Sequence, residues 1–157
     1  MKKWRVIFAV CTLFLGGCAH FYGEARLGLE GFNPRVVRQP QPLFPNVFIT
    51  SSGHIVVDQE PIRIGKGEVG RDGRVTISWA LAAGSPHTFP SNGIVIGSGP
   101  AGGAPPDVKC SVQGSQAKVF ECSYRAPEGR YRYKYTVHVR QGDKLLEALD
   151  PYIDGGI

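Results

Sequence analysis

"IVIGSGPAGGAPPDVKC", residues 94–110, is the stretch on which the fold turns. Gly97, Gly99 and Gly102 stand at the spacing G-x-G-x-x-G behind the β-branched run Ile94-Val95-Ile96. That spacing carries chemistry only when a helix follows the last glycine, because the helix N-terminus supplies the N–H groups that hold a pyrophosphate. Gly102 is followed instead by Gly103, Ala104, Pro105 and Pro106. Consecutive prolines lack amide donors, clash with a preceding helical turn, and push the residue before each of them into extended backbone. The stretch therefore predicts a loop joining two strands.

The glycine spacing resembles the opening of flavin- and nicotinamide-binding Rossmann domains, a resemblance that would imply a bound dinucleotide. It stops at the two prolines. About 60 residues follow Gly97, too few for a doubly wound sheet with its helices. Strand and helix patterns do not alternate around the motif. No cofactor is expected.

Outward from this loop, strand signals dominate. After an Asp72-Gly73 turn, Val75, Ile77, Trp79 and Leu81 alternate with Thr76, Ser78 and Ala80. This is the pattern of a strand with one buried face, and it puts Trp79 in the core. Residues 47–50 and 54–57 flank Ser51-Ser52-Gly53, residues 61–64 form a short edge candidate, and residues 94–96 form a short apolar strand. Residues 130–140 place Tyr131, Tyr133, Tyr135, Val137 and Val139 on one face. Gln141-Gly142-Asp143 then turns the chain into residues 144–149, a last strand or a helical turn. Short strands punctuated by glycine turns predict an all-β domain over residues 46–157. The expected architecture is a small antiparallel β-sandwich, with an immunoglobulin-like Greek key favoured and a small barrel as the alternative.

Residues 1–17 read as a secretory signal. Lys2, Lys3 and Arg5 form a charged head, and residues 6–15 form an apolar run of ten. A stable membrane span needs about 20 residues, so this run suits a cleaved leader better. It ends in Leu15-Gly16-Gly17-Cys18. Those four residues resemble the lipobox of bacterial lipoprotein precursors. The resemblance implies cleavage before Cys18, a diacylglyceryl thioether on its sulfur, and acylation of the new amino group. At ~0.8 kcal/mol per buried methylene, several acyl chains hold a protein on a membrane almost permanently. Ala19 stands where an aspartate would resemble an inner-membrane retention signal. The implied location is the bacterial cell envelope, on the outer membrane facing the periplasm. Residues 18–45 then read as a lipidated tether stiffened by Pro34, Pro40, Pro42 and Pro45. The alternative is that Phe21, Leu27, Leu29 and Phe32 dock on the domain.

Cysteine usage agrees with export. With Cys11 in the leader and Cys18 at the anchor, Cys110 and Cys122 remain as a pair in an oxidising compartment. On a hairpin with its turn at residues 115–117, pairing these two puts Gln113 opposite Val119, a register that suits a cross-strand disulfide. Closing such a loop contributes roughly 3 kcal/mol. Net charge is less informative. Losing Lys2, Lys3 and Arg5 takes 18 basic residues to 15 against 13 acidic ones, a balance of about +2. The basic precursor gives no reason to expect a nucleic-acid partner.

Candidate chemistry is sparse. His20, His54, His87 and His138 lack metal-ligand spacing to a second ligand. A copper-binding sandwich would want a histidine and a methionine close after Cys122, and Met1 is the sole methionine. Ser98, within Gly97-Ser98-Gly99, lacks the nucleophile-elbow pattern. The acidic pairs Asp58 with Glu60 and Asp150 with Asp154 read as solvated turns. No catalytic or metal-binding residue is expected. Opposite the tyrosines, Arg130, Arg132, Lys134, His138 and Arg140 share a face, interrupted by Thr136. This is either a solvated outer face that discourages edge pairing or a cationic stripe for an anionic partner. The loop at residues 84–93, with His87 and Phe89, is either a binding loop or a connection that plugs the core.

These features predict a lipid-anchored, exported lipoprotein bearing a non-catalytic interaction module, an accessory subunit of an envelope assembly. Its partners would be the membrane, through the lipid, and an envelope protein or glycan. The alternative is a ligand-binding or inhibitory module acting on an acidic glycan or a cell-wall hydrolase.

Overall fold

In the computed structural model the described residues are 42–97 and 103–156, together with the main chain of Leu29–Glu30. The strands are β1 (Leu29–Glu30), β2 (Asn46–Thr50), β3 (Ile55–Val57), β4 (Ile62–Ile64), β5 (Arg74–Leu81), β6 (His87–Thr88), β7 (Ile94–Ile96), β8 (Lys109–Gln113), β9 (Val119–Arg125), β10 (Tyr131–Val137), β11 (Arg140–Gln141), β12 (Lys144–Leu145) and β13 (Tyr152–Gly155). A single 3-10 turn, Lys66–Glu68, is the one helical element among the described residues. The domain is all-β and sandwich-like.

One layer runs β1-β2-β5-β9-β8, with β3 on the other side of β2; the second runs β4-β13-β10-β7. A small sheet, β12-β11-β6, closes one end. The longest ladder joins β5 to β9, antiparallel from Arg74 opposite Arg125 to Ala80 opposite Val119. Alternation follows from this register. Val75, Ile77, Trp79 and Leu81 from β5 meet Phe120, Cys122 and Tyr124 from β9 in the core. Tyr133, Tyr135 and Val137 from β10, with Ile94, Ile96 and Ile153, supply the facing layer. Trp79 touches Tyr135 across the layers, with ring centroids 5.3 Å apart.

The pairing is not purely antiparallel, as the sequence had suggested. β2 runs parallel to β5 and β4 runs parallel to β13. Both are short pairings between segments distant in sequence, and no local pattern announces them. Contacts of the sandwich begin before residue 46. Leu43 is buried, its carbonyl accepts the Ser78 N–H at 2.9 Å, and that of Pro45 accepts the Ala80 N–H at 3.0 Å. The rest of the expected tether lies outside the described residues, except for Leu29–Glu30, which pairs with β2 at Thr50 and Ile49.

Two further segments differ from their expected form. Residues 84–93 contain β6 and send Phe89 into the core against Phe120, so this loop is the core-plugging connection. The chain does not end its sheet at residues 144–149. Only β12 is extended there, and the last strand is β13, central in its layer. β13 lies against a tyrosine, and glycine makes that possible. A Cβ at Gly155 would collide with the Tyr131 ring, and one at Gly156 (φ +72) would collide with the main chain of Gly129.

The centre of the core carries an unusual polar pair. The Trp79 Nε1 and the Tyr135 hydroxyl face one another there, yet neither makes a hydrogen bond of normal geometry. A buried, unsatisfied hydroxyl costs about 1–3 kcal/mol, so Tyr135→Phe is expected to raise the midpoint of urea unfolding by a gain on the order of 1 kcal/mol. Gly155→Ala is expected to lower the midpoint, through a loss of stability of about 1–3 kcal/mol from overpacking against Tyr131. Equilibrium unfolding followed by tryptophan fluorescence measures both.

Candidate functional site

The outward face of β10 is where the sequence placed its cations, and the structure gives each of the central ones a carboxylate. β13 pairs antiparallel with β10, setting Asp154 opposite Arg132 and Tyr152 opposite Lys134. Arg132 donates two hydrogen bonds to Asp154, Nε to Oδ1 at 2.6 Å and Nη2 to Oδ2 at 2.7 Å. Such a fork is the strong form of this pair. The same guanidinium lies 5.4 Å from the centroid of the Tyr152 ring. Lys134 Nζ sits 2.8 Å from Asp150 Oδ2, and the Thr136 hydroxyl donates to Asp150 Oδ1 at 2.8 Å.

The electrostatics follow from this geometry. Hydrogen bonds from Arg132 hold the Asp154 carboxyl below the usual carboxylate range, and those from Lys134 and Thr136 do the same for Asp150. In return, the Arg132 and Lys134 cations are held above their ordinary values by these carboxylates. Asp150 and Asp154, expected in solvated turns, are therefore the partners of the cationic strand, and Asp154 lies within β13 itself. The pairing was invisible in sequence because β13 begins after a proline and carries Asp and Gly, residue types that signal turns.

The remaining members of the predicted stripe diverge. Arg130 is exposed just before β10. His138 is half-buried where β10 ends, its amide donating to the Gly93 carbonyl at 2.7 Å. Arg140 belongs to β11, where its Nε reaches the Thr88 hydroxyl at 3.4 Å. Cys18 lies outside the described residues, as do Ser98, Gly99 and Gly102. Cys110 and Cys122 form a disulfide with their Cα atoms 4.1 Å apart, in the register that sets Gln113 opposite Val119.

The other groups capable of chemistry serve the architecture. His87 is buried, its Nδ1 3.0 Å from the Ser85 hydroxyl. Lys118 Nζ donates to the carbonyls of Ser85 and His87, tying the small end sheet to β9, and burial lowers its pKa. Asp58 accepts from the Asn46 amide at 2.8 Å and from its side chain at 2.7 Å, closing the β2–β3 hairpin. No group of three or more His, Cys, Asp or Glu residues placed to hold a metal occurs among the described residues.

One concavity escaped the sequence reading. At the end of the sandwich where the chain finishes, a cleft of about 360 Å³ is lined by Gly65, Lys66, Ala126, Gly129, Tyr131 and Gly156. Tyr131 belongs to a cluster with Tyr124 and Tyr133, its ring packed edge-on against Tyr124 at 6.4 Å. Burial raises the pKa of its hydroxyl. The Gly155-Gly156 doublet was the available signal, since adjacent glycines after a strand mark a close approach of backbone. Lys66 is the one charged group on this cleft's lining.

No model of a known protein family matches the chain, and no curated protein matches it in sequence.

The carboxylates of the β10–β13 face fix a pH response. Both have folded pKa values below their ordinary ones, so their contribution is complete above the ordinary value and is lost as pH falls through the lowered one. The unfolding midpoint is expected to fall once pH drops below about 4. Asp154→Asn is expected to lower the midpoint at neutral pH, to flatten that acid slope, and to converge with the parent chain once pH has fallen through the lowered Asp154 value. Urea titrations from neutral to acid pH measure the difference, and high salt should shrink it because the pair is exposed.

Proposed function

We propose that this chain is an exported bacterial lipoprotein, held on the membrane by lipid on Cys18, whose sandwich is a non-catalytic interaction module of the cell envelope. The observation that carries this reading is the Cys110–Cys122 disulfide. Disulfides persist in oxidising compartments outside the cytosol, which agrees with a leader that ends in Leu15-Gly16-Gly17-Cys18. The state of the polar groups supports the non-catalytic half. Ser85, His87 and Lys118 bind one another or main-chain carbonyls, and Arg132 and Lys134 are occupied by carboxylates. A general base or nucleophile needs a reacting atom within hydrogen-bond reach, and these groups are turned to structural partners instead.

The alternative, an anionic glycan held on the cationic strand or a cell-wall hydrolase blocked by it, draws on a reduced charge. Arg130 and Arg140 keep their exposure, but they stand at opposite ends of the strand run with the neutralised pairs between them. The proposed location is the outer membrane facing the periplasm, with an envelope protein as the partner class and the module as an accessory subunit.

Lipidation is tested directly. Expressed in a bacterial host fed labelled palmitate, the full chain is expected to incorporate label, lose residues 1–17, and stay with the membrane through alkaline carbonate washing. Cys18→Ser is expected to abolish incorporation while leaving the Cys110–Cys122 bond intact on a non-reducing gel. Equal labelling of the variant, or an unlabelled parent chain retained in the cytosol, would overturn the reading.

A further inference from the structure

Among the described residues the first layer ends on β8, and every residue of that strand is exposed. The direction in which its main-chain groups point can be derived from its neighbour. The Leu81 amide donates to the Lys118 carbonyl at 2.8 Å, so even-numbered residues of β9 bond toward β5. Odd-numbered ones therefore bond toward β8, as the Arg125 amide does to the Pro106 carbonyl at 3.0 Å. In the β8–β9 register, Lys109, Ser111 and Gln113 face those odd residues and use their polar groups inward. Cys110 and Val112 are the non-hydrogen-bonded positions, consistent with the 4.1 Å Cα separation of Cys110 from Cys122. Their N–H and C=O groups consequently point to the open side of the sheet.

This edge lacks the protections found on its counterparts. β4 has three residues, follows Pro61 and exposes Arg63; β7 also has three and ends at Gly97. β8 has five residues in unbroken register with β9, no proline, and Lys109 as its single charge. The second layer does not cover it, so Val112 is 36% exposed beside the disulfide on the core-facing side. Regular, exposed strand edges of this kind are templates for pairing with another strand.

The pattern fits itself. We infer that β8 pairs antiparallel with β8 of a second copy of this chain, about a two-fold axis at Ser111. In that register Cys110 faces Val112 of the second copy and Val112 faces its Cys110. The outward donor and acceptor of each residue meet those of the other, giving four main-chain hydrogen bonds. Ser111 faces its own symmetry mate. Lys109 faces Gln113, so the two lysines stay apart and no like charges oppose one another on β8. On the core-facing side, each Val112 covers the exposed Cys110 of the partner's disulfide, while Cys122 stays buried in its own core. Such an interface is isologous and closes as a dimer. A strand this short makes a weak pair, and anchoring both copies in one membrane plane would raise their effective concentration.

The test uses the full chain in bacterial membranes. With the photo-reactive residue benzoylphenylalanine introduced as Gln113→benzoylphenylalanine, irradiation is expected to give a product of twice the chain mass, with the link mapped by mass spectrometry to β8 of the second copy. Val112→Lys, tested in that background, is expected to lower the yield about tenfold by placing a charge at each apolar contact. Val112→Pro is expected to do the same by deleting the outward N–H, which β9 does not use. Retention of the Cys110–Cys122 bond on a non-reducing gel identifies whichever variant is folded, and Thr76→Lys, exposed on the face of β5, is expected to leave the yield unchanged. A link to a different protein, a link to another segment of a second copy, no linked product, or an unchanged yield in a folded Val112 variant would each overturn the inference.

Discussion

The seven-residue register between β5 and β9 is the constraint from which the other features follow. Side chains on a strand alternate with period two, so a slip of β9 by one residue would turn Phe120, Cys122 and Tyr124 out of the core together. The same register decides which main-chain groups of β9 remain for β8. It therefore places Cys122 opposite Cys110 at a non-hydrogen-bonded position, where the side chains approach most closely. Disulfide, core and free edge are three consequences of one ladder. The contact of Trp79 with Tyr135 carries this order to the second layer, because two large rings that touch at the centre fix how the sheets sit on one another.

Within that frame the polar residues divide by position. Those at the end of the sandwich secure short pieces that could not stay paired alone. β6 and β11 contribute two residues each, and the Lys118 ammonium holds the carbonyls beside β6. Those on the outer face of the second layer form a ladder in which Arg132 and Lys134 meet Asp154 and Asp150. Exposed pairs contribute little to stability, typically under about 1 kcal/mol, so their larger consequence is local charge balance. Two cations of a strand that looks strongly basic in isolation are matched by carboxylates of its neighbour, while exposed Arg63 of β4 stands opposite Asp154 on the same face.

Much of the architecture was legible because its signals are local. Alternation at residues 75–81, the apolar run at 94–96, the cysteine hairpin and the tyrosine face of 131–135 each depend on residues within a few positions of one another. What escaped depends on partners far away. β13 carries Pro151, Asp154 and Gly155 at its start and within it, residue types that weaken a strand assignment. Asp154 is there because Arg132 faces it, and Gly155 because the Tyr131 ring covers it. Both reasons lie more than twenty residues upstream. The parallel pairings were hidden for the same cause, since a parallel partner is never the next strand in a hairpin. The break between β10 and β11 was hidden as well: inward alternation continues through Val139, while the hydrogen-bonding partners change from β7 to β6.

The described residues on either side of the glycine fingerprint belong to different layers. A dinucleotide turn joins a strand to a helix that returns the chain to a parallel neighbour in the same sheet. β7 instead pairs antiparallel with β10 in the second layer, and the next strand, β8, edges the first. The connection has to change layers, a task for which a crossover helix in one sheet is no use. The residues that end it show what the prolines contribute. Pro105 is buried, and the Pro106 carbonyl extends the ladder to Arg125. Asp107, at φ +52, accepts the Arg74 guanidinium on its carbonyl and Arg125 on its carboxylate. These contacts deliver Lys109 to β9 in the phase that leaves Cys110 and Val112 facing outward. The Pro106 carbonyl and Asp107 thus lead the chain into the β8–β9 ladder.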